Sequence, residues 1–155
     1  MNNFPILSLL TFLPVLGMVI VLLLPKKQEL SIKVTTLVVS AIQIVLSIIL
    51  LMNFNYAAGG INDASSFQFI EKFRWINIPG FAWIGKIKID YFLGVDGLST
   101  PLVLLTAIVT FIAALSSWTI DKSVKGYFAM FLLLNTGMMG VFVALDFFLF
   151  YIFWE

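Results

Sequence analysis

The stretch FPILSLLTFLPVLGMVIVLLL, Phe4–Leu24, carries no charged side chain over about the 20 residues that a helix needs to cross a bilayer. Pro14 and Gly17 interrupt it, and a membrane helix tolerates both better than a soluble one does. The residues in front of it, Met1-Asn2-Asn3-Phe4-Pro5, hold no positive n-region, and no small-residue cleavage site follows, so the run reads as a retained membrane helix. Three more apolar runs repeat the pattern at about Val34–Met52, Pro101–Trp118 and Tyr127–Leu145. A fifth starts at Phe147 and reaches Glu155, the last residue. The expected fold is therefore an all-α integral membrane protein. It has four complete transmembrane helices plus the start of a fifth, within one polytopic domain over residues 1–155.

Composition points the same way. Of the 155 residues 61% are hydrophobic and 11% are charged, with a mean hydropathy of +1.08. A soluble domain carries about 25% charged residues because its surface faces water. A chain this short cannot hide that much apolar surface in its own core, so lipid must be the solvent for much of it. A net charge of +1 excludes the basic stripe of a nucleic-acid binder. With no cysteine and no histidine, the chain has no ligands for thiolate iron–sulfur clusters, histidine-ligated haem or a typical zinc site, and forms no disulfide.

The connections set the topology. Lys26, Lys27 and Lys33 lie in or beside the first, and Lys122 and Lys125 in or beside the third. Short lysine-bearing loops prefer the cytoplasmic side, which directs the N-terminus and the long second loop, about residues 53–100, outward. In that loop Phe67, Phe69, Glu71, Phe73 and Trp75 alternate with Gln68, Ile70, Lys72 and Arg74. A second alternating run, Lys86 to Tyr91, follows the turn-like Asn77-Ile78-Pro79-Gly80. Period-two alternation on both sides of a breaker reads as a β-hairpin lying on the membrane surface. Trp75, Trp83, Tyr91 and Trp118 read as interfacial anchors. Ser99 and Thr100 before Pro101 read as the cap of the third helix, with Asp96 shaping the turn into it. Asp146 reads as the cap of the fifth, leaving almost no linker after the fourth and making those two helices a tight antiparallel hairpin.

Glu155 is the residue most able to carry chemistry. Counted from Asp146 it lies about 13 Å along the fifth helix, near the middle of a hydrocarbon core about 30 Å thick. Placing a charge there costs roughly 2.5–3.5 kcal/mol on insertion scales, so intramembrane acids are by default functional. Such a carboxylate can gain and lose a proton when desolvation and a nearby cation pull its pKa in opposite directions. Two plainer readings stand beside this one: a structural carboxyl bonded to a neighbouring helix, or a fifth segment that does not enter the membrane. Tyr151, one turn earlier, is placed to donate a hydrogen bond to Glu155 or simply to pack. A chain ending here would set a main-chain carboxylate beside Glu155 and leave carbonyls unsatisfied in lipid, so the expectation is the N-terminal part of a longer polypeptide. Gln43 and Asn135, with Thr136, Gly137 and Gly140, read as close helix packing joined by interhelical hydrogen bonds, with hydration of a proton path as the lesser alternative.

Three stretches carry a family resemblance: Glu71-Lys72-Phe73-Arg74-Trp75-Ile76, then Ile89-Asp90-Tyr91-Phe92-Leu93-Gly94-Val95-Asp96-Gly97-Leu98-Ser99 continuing into Leu102–Thr106, and Phe147–Glu155 with its Phe-Trp-Glu ending. The chain resembles the antiporter-like, proton-pumping membrane subunits of respiratory complex I, most closely the M-type. The resemblance implies a subunit of about fourteen membrane helices when complete, coupling NADH:quinone oxidoreduction to proton translocation. It implies that Glu155 pairs with a lysine on a later helix and switches its proton affinity as the pair separates or closes. It further implies no cofactor in this chain, with flavin, iron–sulfur clusters and quinone in other subunits. The implied partners are other membrane subunits, the lipid bilayer and protons, the setting is a bacterial inner membrane, and residues 1–155 alone would be inactive. Subunits of multi-subunit cation/proton antiporters and of energy-conserving membrane hydrogenases share this architecture and are the alternatives.

Overall fold

The computed structural model describes residues 4–57, 66–78 and 87–155. Among them are five α-helices, a short 3-10 turn and one two-stranded antiparallel sheet. The helices are α1 (Ile6–Leu23), α2 (Glu29–Asn53), α3 (Ser99–Ser116), α4 (Val124–Val143) and α5 (Phe147–Trp154). The first two strands of the chain, β1 (Gln68–Ile78) and β2 (Ile87–Val95), form the hairpin between α2 and α3. The first four apolar runs are thus four helices long and apolar enough to cross a membrane, as the sequence predicts. α2 begins at Glu29, five residues before the apolar run, because the polar turn Glu29–Lys33 continues the helix.

α4 packs against α1, α2 and α3, while α5 leans on the outer flank of α4. The interior has two apolar zones. One, toward the hairpin, gathers Leu7, Leu10, Leu50, Val103, Met139 and Val143 with Leu93 and Val95 of β2. The other, toward the lysine-bearing loops, gathers Val21, Ile32, Val39, Phe128 and Leu132. Outward faces stay apolar and exposed, as with Leu16, Val38, Val45, Val109, Ile112 and Leu134. In water such a surface would be an aggregation hazard, and in lipid it is the solvated side. The chain is an integral membrane protein.

Between the two zones runs a polar layer that ties all four long helices together. Pro14 has no N–H, so the Leu10 carbonyl one turn earlier loses its normal helical donor. The Gln43 side chain of α2 supplies the replacement, donating Nε2–H to Leu10 O at 3.0 Å. Gln43 Oε1 then accepts from Asn135 Nδ2 of α4 at 2.5 Å, and Asn135 Oδ1 accepts from Thr110 Oγ1 of α3 at 3.3 Å. Gln43 and Asn135 are fully buried and Thr110 nearly so. The sequence reading of Gln43 and Asn135 as interhelical bonding residues agrees with this chain of bonds.

The two lysine-bearing connections meet at one end of the bundle. Lys125 Nζ donates to Leu24 O at 2.9 Å and Lys33 Nζ to Trp118 O at 2.8 Å, with the Lys33 ammonium 5.9 Å from the Trp118 ring centre. The hairpin packs at the opposite end, against the start of α1 and the junction of α4 and α5.

Two details of the hairpin and its exit differ from the sequence expectation. Strict alternation breaks twice, at register shifts between Gln68 and Glu71 and between Arg74 and Ile76. Phe69 takes the first bulge with a positive φ of 54°, and Trp75 is the extra residue of the second. Bulges bend a strand and re-aim its side chains, which is how a flat alternating pattern wraps a curved bundle end. At the start of α3 the capping residue is Asp96, not Ser99 or Thr100. Asp96 Oδ1 accepts from Ser99 N at 2.7 Å, and Ser99 Oγ accepts from Asp96 N at 2.8 Å. This reciprocal pair is a capping box with the acid in the first position. Pro79, Gly80, Trp83 and Lys86 lie outside the described residues.

Candidate functional site

α5 starts where the sequence places it. Asp146 Oδ1 accepts from Phe148 N at 2.9 Å and from Leu149 N at 3.1 Å, which satisfies two of the first-turn amides. Glu155 lies nine residues after Asp146, about 13 Å along the helix axis.

What brings α5 against α4 is the absence of side chains on two glycines. A Cβ on Gly140 would collide with Phe153 Cγ, against the base of the ring, and a Cβ on Gly137 would sit 2.9 Å from the Phe153 carbonyl oxygen. Small residues that let backbones approach are the usual interface chemistry of membrane helices. Phe153 also reaches Phe12 of α1, ring centres 6.2 Å apart.

Beside this contact α1, α4 and α5 enclose a cleft of about 860 Å³ whose walls include Phe12, Val15, Met130, Thr136, Gly137, Phe153 and Glu155. Among the described residues none of its lining is basic, and Glu155 is the sole ionisable group there. Glu155 is exposed at the cleft. Tyr151 is also exposed, and the bond recorded between the two is the main-chain one, Glu155 N to Tyr151 O at 3.0 Å. No side-chain hydrogen bond joins them among the described residues.

A second polar cluster, at the hairpin end of the bundle, escaped the sequence reading. The Glu71 carboxylate of β1 accepts from Leu7 N at 2.8 Å and Ser8 N at 3.1 Å, and the Ser8 hydroxyl donates to it as well. Glu71 thus caps α1 from a strand more than 60 residues away, where an anion also complements the positive helix end. Ser8 Oγ lies 2.6 Å from the Tyr91 hydroxyl of β2. Burial pushes the Tyr91 phenol above its ordinary range, the Ser8 bond works against this, and the Glu71 charge adds to it. Tyr91 therefore stays neutral and able to donate throughout the physiological range. The sequence did hold a signal: Pro5 ahead of α1 offers no capping side chain, and Glu71 is the one charged member of an otherwise aromatic set, Phe67, Phe69, Phe73 and Trp75.

Glu71→Gln is expected to lower stability by about 1–2 kcal/mol, because Leu7 N and Ser8 N donate to different carboxylate oxygens, one of which becomes an NH2 group that cannot accept, and the charge is lost. Thermal unfolding in detergent should show a drop of several degrees, and an unchanged transition would remove Glu71 from the account. The exposed Lys72–Asp90 ion pair, 3.3 Å, should contribute well under about 1 kcal/mol in comparison.

Known proteins resemble this chain along its length. Residues 66–145 match the family described as NADH-ubiquinone oxidoreductase chain 4, amino terminus. The chloroplastic NAD(P)H-quinone oxidoreductase chain 4 of Chara vulgaris is 36% identical over 155 residues, covering 100% of this chain and 29% of that protein. A cyanobacterial NAD(P)H-quinone oxidoreductase chain 4 from Picosynechococcus sp. is 34% identical over 153 residues, 99% of this chain and 26% of the relative. The corresponding chloroplastic protein of Mesostigma viride is 32% identical over 155 residues and 28% of its own length. The chain spans under a third of the length of these relatives. Glu155 lies outside the family match but inside the stretch aligned with the Chara protein. By its hairpin, its four membrane helices and these matches, the chain belongs to the NADH-ubiquinone oxidoreductase chain 4 family, the M-type membrane subunits that its sequence resembles.

Proposed function

We propose that this chain is part of a membrane-arm subunit that couples NADH:quinone oxidoreduction to proton translocation, with Glu155 as the carboxylate that takes up and releases the proton. The observation that carries the proposal is the position of Glu155: on a helix capped at Asp146, about 13 Å along it, as the sole ionisable group among the described residues lining an apolar cleft. An acid at that depth in a membrane helix is by default a functional group, and a proton carrier needs a charged partner that can approach it. The resemblance assigns the approaching charge to a lysine on a later helix of the complete subunit. The activity is proposed for that complete subunit within its assembly, and residues 1–155 alone are proposed to be inactive.

Electron transfer is proposed to run through flavin, iron–sulfur clusters and quinone held by other subunits, since the chain has neither cysteine nor histidine. Two lysine-bearing connections at one end of the bundle support a cytoplasmic placement for that end, which puts the N-terminus and hairpin outside. The bacterial inner membrane is the proposed setting, and the matched relatives come from cyanobacteria and chloroplasts. Tyr151 is proposed as a supporting donor that reaches Glu155 by a change of rotamer.

The test is Glu155→Gln in the full-length subunit, with proton translocation followed by dye quenching in inverted vesicles. Loss of about tenfold or more is expected, with partial retention in Glu155→Asp. Pumping at the unsubstituted level in Glu155→Gln would refute the proton-carrying role.

A further inference from the structure

The α4–α5 junction is tied to the open edge of the hairpin by an isolated bridge. Leu93 of β2 pairs with Glu71 of β1 on one side and bridges to Ala144 on the other. Leu145 N then donates to Phe92 O at 2.9 Å, and Asp90 N lies 3.5 Å from Asp146 Oδ2. Gly94 keeps the junction close, since a Cβ there would come within 2.6 Å of Leu145 Cδ1. One rung, Glu71–Leu93–Ala144, therefore joins the residue that caps α1 to the last turn before α5. Asp146 follows directly, with one carboxylate oxygen on the first-turn amides of α5 and the other facing the hairpin backbone.

We propose that Asp146 is a positioning residue: docked to the hairpin, it fixes where α5 begins and so sets the depth and facing of Glu155. This rests on the reading of Glu155 given above. The physical reason is that the outer face of α5 does nothing to set its register, which is left to the contacts at its start and to the single fit of Phe153 on Gly137 and Gly140. Its exposed residues Phe147, Phe148, Tyr151, Ile152 and Trp154 are all large and apolar, so a shift along or around the axis exchanges one lipid-compatible face for another. A capped start removes that freedom. Each residue of slip would move Glu155 by about 1.5 Å and turn it by about 100°, away from the cleft.

The test uses the full-length subunit in its membrane assembly and two readouts. The first is the pH profile of proton translocation. The second is labelling of a single cysteine introduced as Glu155→Cys by a membrane-impermeant maleimide, which is clean within residues 1–155 because they hold no cysteine. Asp146→Ala is expected to cut translocation about tenfold, shift its pH profile and change the labelling rate severalfold, whereas Asp146→Asn keeps an oxygen on the first-turn amides but turns an NH2 group toward Asp90 N, so it should fall between Asp146→Ala and the unsubstituted protein in all three. Unchanged labelling and pH profile in Asp146→Ala, or an Asp146→Asn variant that behaves like Asp146→Ala, would overturn the positioning role.

If Asp146→Ala does not assemble, one alanine inserted between Phe147 and Phe148 leaves the cap in place. It should displace Glu155 and change both readouts; unchanged readouts would show that packing on Gly137 and Gly140 sets the register instead. Should Glu155→Gln pump normally, the proton-carrying role falls, while the cysteine labelling still decides the positioning role by itself.

Discussion

Gly140→Ala is expected to destabilise the bundle by about 2–3 kcal/mol and to disable whatever depends on Glu155, although it adds a single methyl group. The added carbon would meet the base of the Phe153 ring at Cγ, where turning the ring about χ2 gives no relief because Cγ stays in place. The α5 backbone also lies close to α4 at Gly137, where a Cβ would sit 2.9 Å from the Phe153 carbonyl oxygen. α5 is the element that must move. It is short, and its buried hold on the bundle is Leu149, Phe153 and the Asp146 cap. Thermal unfolding of Gly140→Ala, Phe153→Ala and the double variant gives the coupling directly. If the contact is as described, Phe153→Ala restores most of what Gly140→Ala removes, and the two changes are strongly non-additive. Simple additivity would mean that α5 does not rest on this glycine face.

Gln43→Leu is expected to lower stability by about 2 kcal/mol or more, near the upper end for hydrogen bonds between membrane helices. The leucine fills similar space but leaves two groups without partners: the Leu10 carbonyl, already deprived of its helical donor by Pro14, and one N–H of Asn135. The origin of the effect makes it reversible in a specific way. Pro14→Ala restores an N–H one turn after Leu10, so Pro14→Ala combined with Gln43→Leu should recover about 1 kcal/mol of the loss. Gln43→Leu with Asn135→Leu should likewise be less damaging than Gln43→Leu alone, since the unpaired amide is removed rather than stranded. Equal instability of all three variants would show that Gln43 acts by shape and not by hydrogen bonding.

The two sets of variants probe opposite sides of α4. Asn135 faces α2 and α3 in the polar layer, while Gly137 and Gly140 face α5. A helix of this length and apolarity could turn either face to lipid. The small residues on one side and the amide on the other give it two partners instead, while Met130, Leu133 and Leu134 stay exposed along the cleft.

Some of this was legible before any coordinate. Uncharged runs of helix-crossing length identify membrane helices because lipid offers no partner for a backbone amide or a charge, so the length and polarity of a segment alone decide whether it can enter. The same local logic located the hairpin from its alternation, the α5 cap from Asp146, and Gln43 and Asn135 as bonding residues. What the tertiary structure alone decided is who meets whom. Glu71 on the end of α1, Gln43 on the carbonyl orphaned by Pro14, Leu93 between Glu71 and Ala144, and Phe153 over Gly140 are pairings between residues far apart in the chain. Periodicity and hydropathy report each segment's relation to its solvent and are silent about its neighbours. The neighbours follow from which small surfaces fit and which buried polar groups must be satisfied once the helices are side by side.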